Sequence, residues 1–113
     1  MHWNELDSIE DLKKINEISE TSTVMIFKHS TRCSISAMAL DRMERNWKNS
    51  EIKNSKPYYL DLIAHRDISN RIAELYHVPH ESPQILLIRD GRCIYNASHT
   101  DISYAEVKLY DAK

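Results

Sequence analysis

Along this chain the spacing of apolar residues alternates between a helical repeat and short unbroken runs. In residues 8–19, SIEDLKKINEIS, the apolar Ile9, Leu12, Ile15 and Ile18 recur every third position and share one helical face. Ser8 with Asp11 three positions later makes a near capping box, Asp replacing the usual Glu or Gln. Residues 23–29, TVMIFKH, are apolar and β-branched and predict a buried strand. The helical repeat returns from Cys33 to Trp47, with Ile35, Met38, Ala39, Met43 and Trp47 expected on the buried face. Pro57 precedes YYLDLI, 58–63, a second predicted strand. In RDISNRIAELYHV, the residues Ile68, Ile72, Leu75 and Tyr76 predict a third helix starting near Asp67. QILLIR, 84–89, is an apolar strand, Asp90-Gly91 a two-residue hairpin signal, and RCIYNA, 92–97, the returning strand. Ile102, Ala105, Val107 and Leu109 predict a closing helix capped by Thr100 or Asp101.

The predicted order is αβαβαββα. Strands separated by helices pair in parallel through right-handed crossovers, and the Asp90-Gly91 turn makes the last pair antiparallel. An α/β three-layer sandwich follows, a four-stranded mixed sheet with helices on both faces. This is the element order of a minimal thioredoxin-like fold without its optional first strand, and residues 1–113 are read as a single thioredoxin-like domain.

Composition narrows the function. Apolar residues are 42% and charged residues 28% of 113, which is globular. A net charge of −2 argues against nucleic acid or an anionic membrane as the main partner. No apolar run approaches the roughly 20 residues of a membrane span, and MHWNELDS lacks the pattern of a secretory signal. The expected compartment is the cytoplasm, where thiols stay reduced. With one glycine, a glycine-rich phosphate loop is excluded.

The chemistry concentrates in VMIFKHSTRCSIS, residues 24–36. Cys33 falls where a helix begins, and free N–H groups with the positive end of the helix dipole favour a thiolate there. Arg32, Lys28 and His29 add positive charge to the region. The alternative is a small buried cysteine beside an ordinary loop. Ser36 lies one turn on, where its hydroxyl can approach the Cys33 sulfur; it is otherwise a plain first-turn serine. It cannot form a disulfide, so an adduct on Cys33 must be released by an outside thiol. Ahead of QILLI, Pro83 is the candidate for a cis proline facing the nucleophile, with Ser82 offering its backbone to an extended substrate. The alternative for Pro83 is a trans, strand-initiating proline. Pro79 is expected to end the preceding helix.

FKHSTRCSIS followed by HESPQ, with H-x-D-I at 99–102, resembles the monothiol bacilliredoxins of the bacillithiol system, whose active stretch reads Thr-Cys-Pro-Ile-Ser. The resemblance spans the chain from residue 24 to 102. It implies that Cys33 is the single active cysteine, that Ile35 and Ser36 complete its motif, and that His80, Glu81, Ser82 and Pro83 form the cis-proline loop. Arg32 replaces the family's threonine and Ser34 its proline, a change that adds an amide donor beside the sulfur. The implied activity is reduction of protein–bacillithiol mixed disulfides by thiol–disulfide exchange. S-thiolated client proteins and a low-molecular-weight thiol are the implied partners, with Arg32, Ser34, Ile35, Ser82 and Pro83 the substrate-binding residues. His29, at the strand end, is a candidate for tuning the thiolate or for hydrogen-bonding the loop, the alternative being a plain strand-end polar residue. No bound cofactor is expected, bacillithiol or a similar thiol being a co-substrate, and the protein is expected to be a monomer or weak dimer.

Cys93, 60 positions after Cys33, falls on the predicted edge strand and reads as a packed residue rather than a resolving thiol. Six histidines invite a metal, yet His29 with Cys33 lacks a second ligand pair, so no metal site is expected. Two competing functions remain open on the sequence: a module holding an iron–sulfur cluster between subunits through one cysteine per chain, and a non-catalytic adaptor.

Overall fold

The strand TVMIFKH is buried at all seven positions, which requires neighbours on both edges and cover on both faces. A computed structural model describing residues 1–113 supplies them. The elements are β1 (Asn4–Glu5), α1 (Ile9–Ile18), β2 (Thr23–His29), α2 (Ser34–Asn46), β3 (Ser55–Asp61), α3 (Arg66–Tyr76), β4 (Gln84–Arg89), β5 (Arg92–Ser98) and α4 (Tyr104–Asp111). A short 3-10 turn, His99–Asp101, joins the last two. Sheet order is β1-β3-β2-β4-β5, with β2 parallel to β3 and antiparallel to β4.

The pleat divides β2 between two apolar layers. Val24 and Ile26 join Leu12 and Ile15 of α1 and Ile68, Ile72 and Tyr76 of α3 in one layer. Met25 and Phe27 join Ala39 and Met43 of α2, Trp47 at its C-terminal cap and Val107 of α4 in the other. The expected three-layer α/β architecture is therefore present.

Local chemistry explains most boundaries. Ser8 Oγ accepts from Asp11 N–H at 3.1 Å, and Asp11 reaches back to the N–H of Asp7 at 3.2 Å, so the capping box closes one residue early. α3 stops where His77 turns left-handed, at φ 56°. Asp90 and Gly91 both take positive φ, 54° and 71°, as a tight turn between twisted strands requires. Asp111, 3% exposed, accepts from the N–H groups of Lys53 and Asn54 at 2.9 and 2.8 Å and from Ser55 Oγ at 2.7 Å. That carboxylate fixes α4 to the start of β3.

Four expectations are corrected. The sheet has five strands, because Asn4 and Glu5 pair with Tyr58 and Tyr59 in a two-residue strand too short to leave a periodic signal. β3 begins at Ser55 and contains Pro57. The Pro57 carbonyl accepts from the Asn4 side-chain amide at 3.1 Å, so its nitrogen faces that same edge and the ladder to β2 loses no bond. On α2 the buried face runs through Ser36, Ala39 and Met43, whereas Ile35 and Met38 are 50% and 66% exposed. On α4 the N-cap is Ser103, and Ala105 and Leu109 face outward; the segment 99–101 is a separate turn.

β5 also carries a bulge: Leu87 pairs with Tyr95 and Ile88 with Cys93, leaving Ile94 unpaired. Asp111→Ala should lower unfolding free energy by about 3 kcal/mol in urea titrations, since it strands three donors at a buried joint.

Candidate active site at the start of the second helix

β2 delivers the site. After His29 the chain turns through Ser30 and Thr31 to Cys33, which is the N-cap of α2 with extended backbone (φ −116°, ψ 122°). Cys33 N–H donates to the Ser30 carbonyl at 3.2 Å, closing the turn, and the Cys33 carbonyl receives Ala37 N–H at 3.0 Å, opening the helix. The thiol is half-buried and makes no capping bond. Arg32, Ser34 and Ile35 around it are exposed.

Ser36 is fully buried, and its hydroxyl faces inward. It lies 2.7 Å from His29 Nδ1 and accepts the N–H of Ser30 at 3.0 Å. With neutral His29 accepting at Nδ1, the single hydroxyl proton goes to the imidazole and a lone pair to the loop amide. Ser36 thus ties both ends of the turn that carries Cys33, and its hydrogen bonds go to these partners rather than to the sulfur. Burial holds the His29 pKa below its ordinary value, against the opposing charges of Asp61 and Glu44. Its ring also lies 5.7 Å from that of Tyr59.

The second wall is the stretch 80–83. The Ser82–Pro83 peptide is cis, Pro83 is buried, and Ser82 is half-buried. The Pro83 carbonyl accepts the N–H of His99 at 3.0 Å, and His99 Nε2 lies 3.7 Å from Glu81. The 3-10 turn after β5 therefore braces this loop from the other side. His99 and Thr100 also line a shallow cavity of about 90 Å³ with Ile35, Met38, Ala39 and Arg42.

Two residues gain a place here: Lys28, expected only as positive charge near Cys33, and Ser69, which the sequence did not single out. Lys28, completely buried, lies 3.3 Å from His80 Nδ1, and Ser69 Oγ of α3 lies 3.2 Å from the same atom. Burial pushes the Lys28 pKa down to about 8. Burial, with the positive charges of Lys28 and Arg66, also lowers that of His80, against Glu81. A lysine inside an apolar strand was the available signal.

Cys93 lies elsewhere. It pairs with Ile88, which pairs with Val24, at the far end of β2 from His29. Five strand steps are roughly 17 Å, well beyond the about 7 Å that a disulfide spans between Cα atoms. Its thiol donates to the Tyr95 carbonyl at 3.3 Å, and burial pushes its pKa up. Both cysteines are free. No helix of the chain is long and apolar enough to cross a membrane.

A cysteine heading the helix after the central strand, with a cis proline leading into the neighbouring strand, defines a thioredoxin-fold thiol oxidoreductase. The chain belongs to the monothiol bacilliredoxin BrxC family, whose model matches residues 4–107. A solved structure of a protein with a thioredoxin fold is 31% identical, covering 96% of this chain and 92% of that one at a TM-score of 0.79. Thioredoxin of Malassezia sympodialis matches 98% of this chain and 89% of its own, at 13% identity and TM-score 0.76. Thioredoxin of Trypanosoma brucei brucei matches 98% and 90%, at 16% identity and TM-score 0.75. At such identities the two thioredoxins speak for the fold.

Two outcomes follow from the site. Ser36→Ala leaves His29 Nδ1 and the Ser30 amide without their partner and should cost about 2 kcal/mol in urea unfolding. His29 and His80 have folded pKa values below the unfolded one, so the unfolded chain binds more protons as pH falls. Their contribution is complete above the unfolded value near 6.5 and is lost on acidification below it. Unfolding free energy should therefore decline from pH 7 to 5, less steeply in a His29→Phe, His80→Asn double variant.

Proposed function

We propose that this protein reduces mixed disulfides between client proteins and bacillithiol, or a close low-molecular-weight relative, through Cys33. The observation that carries this reading is one half-exposed cysteine at the start of α2, with a serine one turn on and the other cysteine at the opposite end of the sheet. Membership of the monothiol bacilliredoxin family supports the choice of thiol.

The Cys33 thiolate attacks the bacillithiol sulfur of the mixed disulfide. The client's S–S bond breaks, the client cysteine leaves as a thiolate and takes a proton from water, and a Cys33–bacillithiol disulfide forms. A second bacillithiol thiolate then attacks the bacillithiol sulfur of that adduct. Cys33 leaves as the thiolate, and the two small thiols depart as their oxidised disulfide, which carries away the two oxidising equivalents. Ser36 bars an internal route, because a hydroxyl cannot displace the adduct as a disulfide.

Each neighbour has a role in this scheme. Helix N–H groups at Ser34 and Ile35 favour negative charge on the attacking and leaving sulfur. Exposed Arg32 meets the small thiol or an acidic client surface. Ser82, beside the cis peptide, receives the client backbone in extended form, and Ile35 packs against its side chains. His29 holds Ser36, and through it the turn that presents Cys33.

The test is transfer of the adduct. Incubation with a bacillithiolated protein should add one bacillithiol to the enzyme by intact mass, mapped by peptide analysis to Cys33. Cys33→Ser should abolish it, and free bacillithiol should remove it from the wild type. An adduct on Cys93, or none, overturns the proposal.

A further inference from the structure

Lys28 is a charged side chain with no exposure in the central strand of the sheet. The pleat sends it to the same face as Val24 and Ile26, beneath α1 and α3. Its only hydrogen-bond partner is His80 Nδ1 at 3.3 Å, and no carboxylate pairs with it. Burying an ammonium without a counter-charge costs several kcal/mol, and an apolar side chain of similar length fills such a site at no loss of stability. Stability therefore gives no reason for an amine at this position.

What the amine reaches is the loop that leads into β4. His80 heads the stretch that ends in the cis Ser82–Pro83 peptide. Ser69 Oγ, from α3, supports the same imidazole nitrogen at 3.2 Å. Gln84 lies directly across the ladder from Lys28, so their side chains share a face. Its Nε2 donates to the Pro79 carbonyl at 3.2 Å. Residues 79 and 80 are thus held from below by the two side chains of one rung of the β2–β4 ladder. Within the suspended segment, Ser82 Oγ is buried and has no protein partner.

Resting on the reaction assigned above, we propose that Lys28 is a positioning residue for substrate: its buried amine fixes His80, and so sets the Ser82 backbone at the place where an extended client chain is received. Lys28 does not touch the reacting sulfurs. Its effect falls on capture of a polypeptide substrate and not on the reactivity of Cys33. The bond needs an unprotonated His80 Nδ1. The groups facing that ring are Lys28 from β2, Ser69 and Arg66 from α3, and Glu81 in its own loop.

The probe is an extended peptide with one cysteine held in a mixed disulfide with bacillithiol, its transfer to Cys33 followed by mass in single turnovers. Lys28→Met should raise the half-saturating peptide concentration about tenfold, the scale of one hydrogen bond. The limiting transfer rate, and the reaction of Cys33 with the small disulfide 5,5′-dithiobis(2-nitrobenzoate), should stay within about twofold. His80→Leu should behave as Lys28→Met, whereas His80→Asn, which keeps an acceptor in the Nδ1 position, should behave as wild type. The His80 pair decides the matter if Lys28→Met does not fold. Wild-type half-saturation in both Lys28→Met and His80→Leu overturns the inference, as does an equal loss against the small disulfide. A wild-type protein that takes up no bacillithiol sinks the parent reading and this inference with it; active variants indistinguishable from an active wild type sink this inference alone.

Discussion

Everything at the reactive end depends on β2 being enclosed on both edges and both faces. Its backbone is paired to β3 and β4, and its side chains fill two apolar layers, so its register cannot slip without moving polar groups into the core. The last two residues of this strand carry ionisable side chains. Lys28 enters one layer and His29 the other, and each ties down a different wall of the site. His29 secures the turn bearing Cys33 through Ser36, and Lys28 secures the loop bearing Pro83 through His80. One rigid strand thus holds the Cys33 turn and the Pro83 loop from adjacent positions.

This arrangement separates fixed parts from accessible ones. Imidazole, hydroxyl and amine lie inward, while Arg32, Ser34, Ile35 and Met38 remain on the surface. Residues that differ from the family motif, Arg32 and Ser34, belong to the exposed set, and the buried bonds that shape the turn do not involve their side chains. Side chains at those two positions are free of the bonds that hold the turn.

The parts of the fold legible in the sequence are those with a strong local cause. β2 and β4 are enclosed on both faces and so read as unbroken apolar runs, and the Asp90-Gly91 turn carries its own backbone signature. β1 left no trace because two exposed residues have no period. Ile35 and Met38 were misplaced because helical spacing alone fits two overlapping faces of α2; buried Ser36, a polar residue, marks the true one. At the site, Cys33, Ser36 and Pro83 were recognisable as a motif. The inward turn of Ser36 and the Lys28–His80 contact were not, since the partners are 7 and 52 positions apart and only the folded sheet brings them together.

Pro57 and the bulge at Ile94 bear on how this sheet avoids its own kind. A sheet ends in two rows of unpaired amides and carbonyls, each a template for a strand from another molecule. On the β3 side, Pro57 offers no N–H, its carbonyl is taken by the Asn4 side chain, and β1 covers the next two positions. On the β5 side, the unpaired Ile94 breaks the regular repeat that an incoming strand must match. Both outer margins are therefore poor places for zippering between copies. The two margins of the sheet are thus blunted by quite different means, a proline with a side-chain cap on one and a register break on the other.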